Sequence, residues 1–300
     1  MKKILFAFLF ISTVTLASTH AVEIVVPFTP GGAADTFARA VQKHILLPEN
    51  GSVVINKPGA EGRLAIQYSL AKPLTQSSMV VATPGPFVFN HAVLENIEYS
   101  IADFEYVLPL AETPIVVSVN PASGIRTLKD FILESKKRNL NCGANSTATQ
   151  TTANYLFKQL GINNVQTVVY KGSADLTTQL IGGHINCGVD TLMIQEPYHK
   201  SNRLQIIAVS SRKKISRLSD IETFNQYVPG LNFSSWYGLA IPKNLPVQEK
   251  EKLMKLTRNL VLNKEFVQSI TNTGLEISEP HDNYLKFLNQ ELDQTKKMLK

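Results

Sequence analysis

The chain has 300 residues, of which 44% are hydrophobic and 18% charged, and its formal net charge is +6. Mean hydropathy is −0.02, and no run beyond residue 21 is apolar and long enough for a membrane helix. The densest basic cluster, Arg212, Lys213, Lys214 and Arg217, has no aromatics interleaved with it, which argues against a nucleic-acid-binding face.

Met1 to Ala21 has the composition of a secretory signal peptide. Lys2 and Lys3 form the charged start and Ile4 to Leu16 the apolar stretch, which is too short to span a bilayer comfortably. Ala17, Ser18, Thr19 and Ala21 are small, and cleavage is expected near Ala17 or Ala21. No cysteine lies near that point, so a lipid anchor is not expected. The remaining chain, about 280 residues, is long enough for two domains and a sizeable core.

Val22 to Arg39, VEIVVPFTPGGAADTFAR, comes next. EIVVPF is β-branched and apolar, as a buried strand would be. Pro30, Gly31 and Gly32 stop it and permit a tight turn. Phe37, Val41 and Ile45 then recur every four residues, which marks one face of a helix. A helix start carries unpaired N–H groups and about half a positive charge. With glycines allowing close approach, Pro30, Gly31, Gly32 and Ala33 form either a main-chain anion seat or an ordinary turn of a parallel sheet.

The same grammar recurs downstream. SVVINKPGAEG is a strand entering a Pro-Gly turn, and Leu64, Ala65, Tyr68 and Ala71 mark a helical face. Ser78 to Ala82 is a short strand ending in Thr83-Pro84-Gly85. IRTLKDFILESKKR predicts a helix with Thr127 as N-cap and Asp130 three residues on, close to a capping box. NLNCGANS is a strand running into a polar loop, and Ala153, Leu156, Phe157 and Leu160 form the apolar stripe of the next helix. QTVVYKG, HINCGVD and LQIIAVS are further strands, and ADLTTQLIGG is a short helix stopped at Gly182-Gly183. From Pro246 onward the chain is mainly helical, with Leu253, Leu256 and Leu260 on one face and Leu285, Leu288, Leu292 and Met298 on another.

Such alternation implies an α/β fold of parallel-rich sheets flanked by helices. Two extended segments, 113–121 and 228–242, do not fit the count and are read as crossings between two sheets. Domain one is then 22–118 plus 232–300, and domain two is 119–231. A cleft between them would bring strand carboxyl ends and helix starts from both sheets against one ligand. Cys142 and Cys187, the only cysteines, are expected near the carboxyl ends of their strands. Two buried free thiols are placed ahead of a disulfide, although an exported pair can bridge.

The loops at the strand ends, PFTPGGAAD, ATPGPFVFN, CGANSTATQTT, YKGSAD and VDTLM, are rich in Gly, Ser, Thr and Asn. They are poor in general bases and nucleophiles. The six histidines, His20, His44, His91, His184, His199 and His281, show no metal-ligand spacing, and no nucleophile elbow or phosphate-binding glycine loop is present. No metal or cofactor is expected. Asp35 stabilises a helix start, and near a bound carboxylate it would repel unless it held an amine or a water. Lys171 either adds charge at the cleft or lies on the surface. Asp190 either accepts from a ligand donor or caps the following turn.

Taken together, VPFTPGGAADTFAR, VVINKPGAEG, ATPGPFVFNHAVL, VVYKGSADLTTQLIGGHINCGVD and the late block ending in SSWYGLAIP stand in an order and spacing that resemble the extracytoplasmic receptors of the tripartite tricarboxylate transporter system, the Bug family. The resemblance spans nearly all of the chain after the signal. It implies a two-lobed periplasmic-binding-protein-like fold of type II that closes on a small carboxylated solute and hands it to membrane permease subunits. A monomer is expected. The resemblance also implies ligand contacts from the first loop, from Thr83, Pro84, Gly85 and Asn90, from Asn145, Ser146, Thr147 and Thr149, from Lys171, Gly172 and Ser173, and from Asp190. The chain departs from the family pattern at residues 143–152, where two glycines and a histidine are replaced, and at Glu61, where a glycine is common. A ligand sensor that presents its closed form to a signalling kinase would use the same fold. A secreted α/β enzyme would use Asp35 or Asp190 as its base.

Overall fold

One long strand joins two sheets in the computed structural model, which describes residues 21–47, 51–211, 214–230, 233–278 and 283–299. The chain opens with β1 (Val22–Val26), α1 (Ala33–His44), β2 (Ser52–Asn56), α2 (Arg63–Leu70) and β3 (Ser78–Ala82). A π-helical turn over Gly85–Phe89 leads into the short α3 (Asn90–Val93) and then β4 (Phe104–Val119). The second lobe follows: α4 (Leu128–Lys137), β5 (Leu140–Ala144), α5 (Thr147–Gln159), β6 (Val165–Val169), α6 (Ser173–Ile181), β7 (Cys187–Thr191), α7 (Leu192–Lys200), β8 (Gln205–Val209), β9 (Glu222–Thr223) and α8 (Phe224–Tyr227). The chain returns through β10 (Ser234–Pro242) and closes with α9 (Val247–Arg258), α10 (Lys264–Asn272), β11 (Glu276–Ile277) and α11 (Tyr284–Met298).

The first sheet runs β2-β1-β3-β10-β4-β11, with β1, β2 and β3 parallel and β10 antiparallel to both neighbours. β4 changes sheets between Pro114 and Ile115. Residues up to Pro114 pair with β10, whereas Ile115 to Val119 pair with β7 and β8. β5 and β6 extend the second sheet in parallel beyond β7. Beside the strand switch, the Ser210 hydroxyl donates to the Phe233 carbonyl at 2.6 Å, tying the returning chain to the second lobe.

Alternation along the strands assigns each residue to one of two helical layers. In β1, Ile24 and Val26 meet Phe37 and Val41 of α1 in one core. Val25, with Val80 and Ala82, faces Ile66 and Phe87 in the other. In the second lobe Val117, Val189, Cys142, Leu156 and Phe157 share a core. The Thr127–Asp130 capping box forms as the sequence predicts. Leu64 (47% exposed) and Leu285 (47% exposed) do not join the buried faces expected of them, whereas Ala65 and Leu288 of the same faces are fully buried.

The expectation of free thiols is corrected. Cys142 and Cys187 are direct partners in the parallel β5–β7 register, both are fully buried, and they are joined by a disulfide with a Cα–Cα distance of 4.5 Å. Cys142 lies mid-strand and Cys187 opens its strand, so neither is at a carboxyl end. The expected signal peptide up to residue 20, which includes His20, together with His281 and with Arg212 and Lys213 of the basic cluster, lies outside the described residues. So do residues 231 and 232 of the second crossing. Among the described residues no helix is long and apolar enough to cross a membrane.

Candidate functional site

Between the lobes lies a cleft of about 870 Å³, lined from both sheets. The first lobe presents the start of α1. Gly32, Ala33 and Ala34 line the cleft, and no side chain caps that helix start. The amide of Gly31 is engaged elsewhere: it donates to Asp35 Oδ2 at 3.0 Å. Asp35 is 3% exposed and also receives Arg39 Nε at 2.9 Å and Asn56 Nδ2 at 2.9 Å. Burial raises the Asp35 pKa, but the bonds from Arg39, Gly31 and Asn56 outweigh it and hold the carboxyl below its ordinary value. Asp35 therefore braces the turn, and neither it, Pro30 nor Gly31 lines the cleft.

Beside α1, Thr83, Pro84 and Gly85 line the cleft where the π-helical turn begins. Thr83 is 3% exposed, and its hydroxyl is buried with no hydrogen-bond partner among the described residues. Asn90 is fully buried behind this loop. Its side-chain amide donates to the Glu61 carbonyl at 3.0 Å and to the Tyr99 hydroxyl at 3.3 Å. Tyr99 in turn donates to the Pro86 carbonyl, and burial pushes its pKa up to about 12. Asn90 thus joins two loops instead of reaching the cleft.

The second lobe contributes Asn145, Ser146 and Thr149 at the start of α5, and Gly172 and Ser173 at the start of α6. Ser146 caps α5 by accepting from the Thr149 amide at 3.3 Å, whereas α6 has no side-chain cap. Gly172 has φ 115°, and a Cβ there would stand 2.8 Å from Thr29 Oγ1 of the opposite lobe. The lobes are therefore closely approached at this point. Thr147 does not line the cleft; its amide donates to Glu61 Oε2 at 3.2 Å. Lys171 is exposed and also outside the lining, because the turn before α6 carries it outward.

Asp190 lies under the floor and is fully buried. Its Oδ1 accepts from Asn145 Nδ2, from Ser173 Oγ at 3.1 Å and from the Thr191 amide at 2.7 Å, while Oδ2 has no partner among the described residues. Burial pushes its pKa up to about 6 despite these bonds. Asp190 thus orients two side chains that line the cleft and does not itself line it.

Several lining residues carried no signal in the loop chemistry: Tyr155, Phe233, Trp236 and Phe287; Thr29 and Thr191 lie in the loops PFTPGGAAD and VDTLM but were not singled out. Trp236 sits in the SSWYG block, which the sequence marks as part of the crossing and of the family pattern but not as a wall of the site. The charged lining residues, Glu112, Glu276, Glu291 and Lys297, gather around the β4–β10 pair Glu112–Trp236 and α11. Trp236 Nε1 donates to Glu291 Oε2 at 3.4 Å. Burial raises the Glu291 pKa, the Trp236 bond lowers it, and nearby Glu112 raises it further. Among the described residues no group of His, Cys, Asp and Glu could hold a metal ion.

Comparison with known proteins agrees with this geometry. Protein BugT of Bordetella pertussis is 21% identical over 229 residues, covering 74% of this chain and 70% of its own. The structure of Rpa4515 of R. palustris with adipate superposes with a TM-score of 0.84 at 24% identity, covering 93% of this chain and 96% of that one. The periplasmic binding protein BugD gives 0.83 at 22% identity, covering 93% and 96%. Both structures establish the two-lobed periplasmic-binding-protein fold. The TctC model, described as the tripartite tricarboxylate transporter family receptor, matches residues 37–300. With that match over most of its length, the chain belongs to the family of tripartite tricarboxylate transporter receptors, whose members include the Bug proteins.

Proposed function

We propose that this protein is a periplasmic receptor that closes on a small organic carboxylate and delivers it to the membrane permease of a tripartite transporter. The observation that carries this reading is the convergence of uncapped helix starts, α1 from one lobe and α6 from the other, on one cleft with Thr83 and Gly85 between them. Backbone amides there neutralise an acid without a cationic side chain. Each hydrogen bond to a charged group contributes about 1.5–3 kcal/mol net. Three or four of them reach the roughly 8 kcal/mol of a micromolar ligand once binding costs are subtracted.

The contacts fall to the amides around Gly32, Ala33, Gly85, Gly172 and Ser173 and to the side chains of Thr83, Asn145, Ser146 and Thr149. Asp35, Asn90 and Asp190 hold these loops in place. The lobes, 22–118 with 232–300 and 119–231, close about the segments 113–121 and 228–242. Residues 1–21 direct export and are removed. That the two aspartates an enzyme would need are a turn brace and a buried anchor favours binding over turnover. The bound adipate of the relative named above supports a carboxylic acid as solute.

A thermal-shift screen over dicarboxylates, tricarboxylates, amino acids and aromatic acids tests the reading. A saturating acid at a hundredfold its Kd adds about 2.7 kcal/mol and raises the melting temperature. Failure of every carboxylate to do so overturns it.

A further inference from the structure

We infer that the receptor takes up one proton at Asp190 when a carboxylate enters the cleft, a conclusion that rests on the cleft being the solute site. Asp190 is fully buried, and its two carboxyl oxygens are used unequally. Oδ1 accepts from Asn145 Nδ2, Ser173 Oγ and the Thr191 amide, whereas Oδ2 has no partner among the described residues. Gln195 of α7, also fully buried, neighbours Asp190. Its Nε2 donates to Thr177 Oγ1 at 3.1 Å, and its Oε1 is a second buried acceptor without a donor among the described residues. Two idle acceptors in one buried network are costly. A proton on Oδ2 converts one of them into a donor. Turning the Gln195 amide over, so that Nε2 serves Asp190, suits the ionised carboxylate instead. The network thus accommodates either state.

The side chains that bond to Asp190 are uncharged. β4 sets Val116 opposite it, β5 leads into Asn145, and α6 and α7 present Ser173, Thr177 and Gln195. Lys171 and Asp175, at the start of α6, are exposed, and Glu196 of α7 is paired with Lys200 and Arg217. The titratable neighbour is Tyr237 of β10, whose hydroxyl burial keeps protonated far above neutral pH and which the Asp190 charge pushes the same way. Asn145 and Ser173, the two side chains anchored on Asp190, also line the cleft, so a carboxylate held at the start of α6 stands one side chain away from it. Like charges roughly 6 Å apart at an effective dielectric of about 20 oppose joint ionisation about a hundredfold. Bound solute therefore keeps Asp190 protonated, and by reciprocity protonated Asp190 keeps the solute. Burial already raises its pKa to about 6 without solute. Affinity is thus full below that pH and declines as pH rises through it and the carboxyl ionises.

The probes are succinate, citrate, glutamate and benzoate, and the tightest binder is carried into calorimetry at pH 7 in phosphate and in Tris, whose heats of ionisation differ. The difference between the two buffers counts the protons taken up. The wild type should take up about 0.8 proton per solute. Asp190→Asn, or Asp190→Ser should that variant not fold, should take up almost none. The ratio of wild-type Kd to Asp190→Asn Kd, in which the solute's own titration cancels, should rise about tenfold from pH 5 to pH 7. Binding without proton uptake by the wild type, or equal uptake in the variant, overturns the inference and leaves the carboxylate reading standing. A ratio that does not change with pH also overturns it, since Asp190 would then serve only as an anchor. If none of the four acids binds, the carboxylate reading itself fails and this inference with it.

Discussion

Replacing Asp190 by Asn separates the charge of this side chain from its hydrogen bonding. Oδ1 is kept and still accepts from Asn145, Ser173 and the Thr191 amide. The new side-chain N–H₂ replaces Oδ2, an oxygen without a partner, and faces Gln195, whose Oε1 is buried and likewise unpartnered among the described residues. The fold is therefore kept and a buried charge is removed. Burial raises the pKa of Asp190 from 3.8 to about 6 in the folded protein. That displacement corresponds to about 3 kcal/mol between the protonated and ionised forms. The sign follows from linkage: stability contributed by the protonated carboxyl is fully present below 3.8 and is lost as pH rises through about 6. Asp190→Asn should thus be more stable than the wild type by up to about 3 kcal/mol at pH 7, and nearly equal to it at about pH 4. Urea unfolding of both proteins across this range, read by tryptophan fluorescence, measures the gap. A gap that does not vary with pH, or a variant less stable at pH 7, would refute the reasoning. Since Asn145 and Ser173 keep their anchor, solute affinity at pH 7 should not fall.

The disulfide closes a loop of 45 residues in sequence separation. Replacing both Cys142 and Cys187 by Ser should cost about 4 kcal/mol on the chain-entropy account, visible as a lower urea midpoint, and dithiothreitol should then leave the variant unchanged. Gly172→Ala places a methyl group 2.8 Å from Thr29 Oγ1 across the cleft, at a backbone φ that disfavours it. Solute affinity should drop by about tenfold or more, while the variant stays folded, since a side chain at φ 115° and ψ 179° adds about 1–3 kcal/mol of strain. Thr29→Ala in the same background should recover part of the affinity. Wild-type affinity in Gly172→Ala would show that close approach of the lobes at this point is not required.

Much of the fold could be read locally. The β-branched runs, the Pro-Gly turns and the 3.6-residue spacing of Phe37 and Val41 or of Ala153, Leu156 and Phe157 each depend on residues a few positions apart. So does the Thr127–Asp130 cap. The candidate site was legible to the extent that it is built from such turns: Gly32, Thr83, Gly85, Asn145, Ser146, Thr149, Gly172 and Ser173 all reach the cleft. Charged residues were less legible. Asp35 and Asp190 sit at the predicted loops, yet their carboxylates turn inward to brace them, because a buried carboxylate gathers backbone and side-chain donors. Lys171 sits one residue from the cleft and faces away from it, a difference set by the left-handed Gly172 that follows.

The sequence by itself determined the α/β alternation, the helix starts left without side-chain caps and the family pattern that spans them, since these follow from propensity, turn chemistry and motif order. Tertiary structure alone decided that Cys142 stands opposite Cys187, that β4 serves two sheets, that α11 and Trp236 wall the cleft, and that Glu61 reaches the start of α5. Each of these joins residues dozens of positions apart. Their meeting depends on strand register and on how two lobes pack, and no short-range periodicity encodes either.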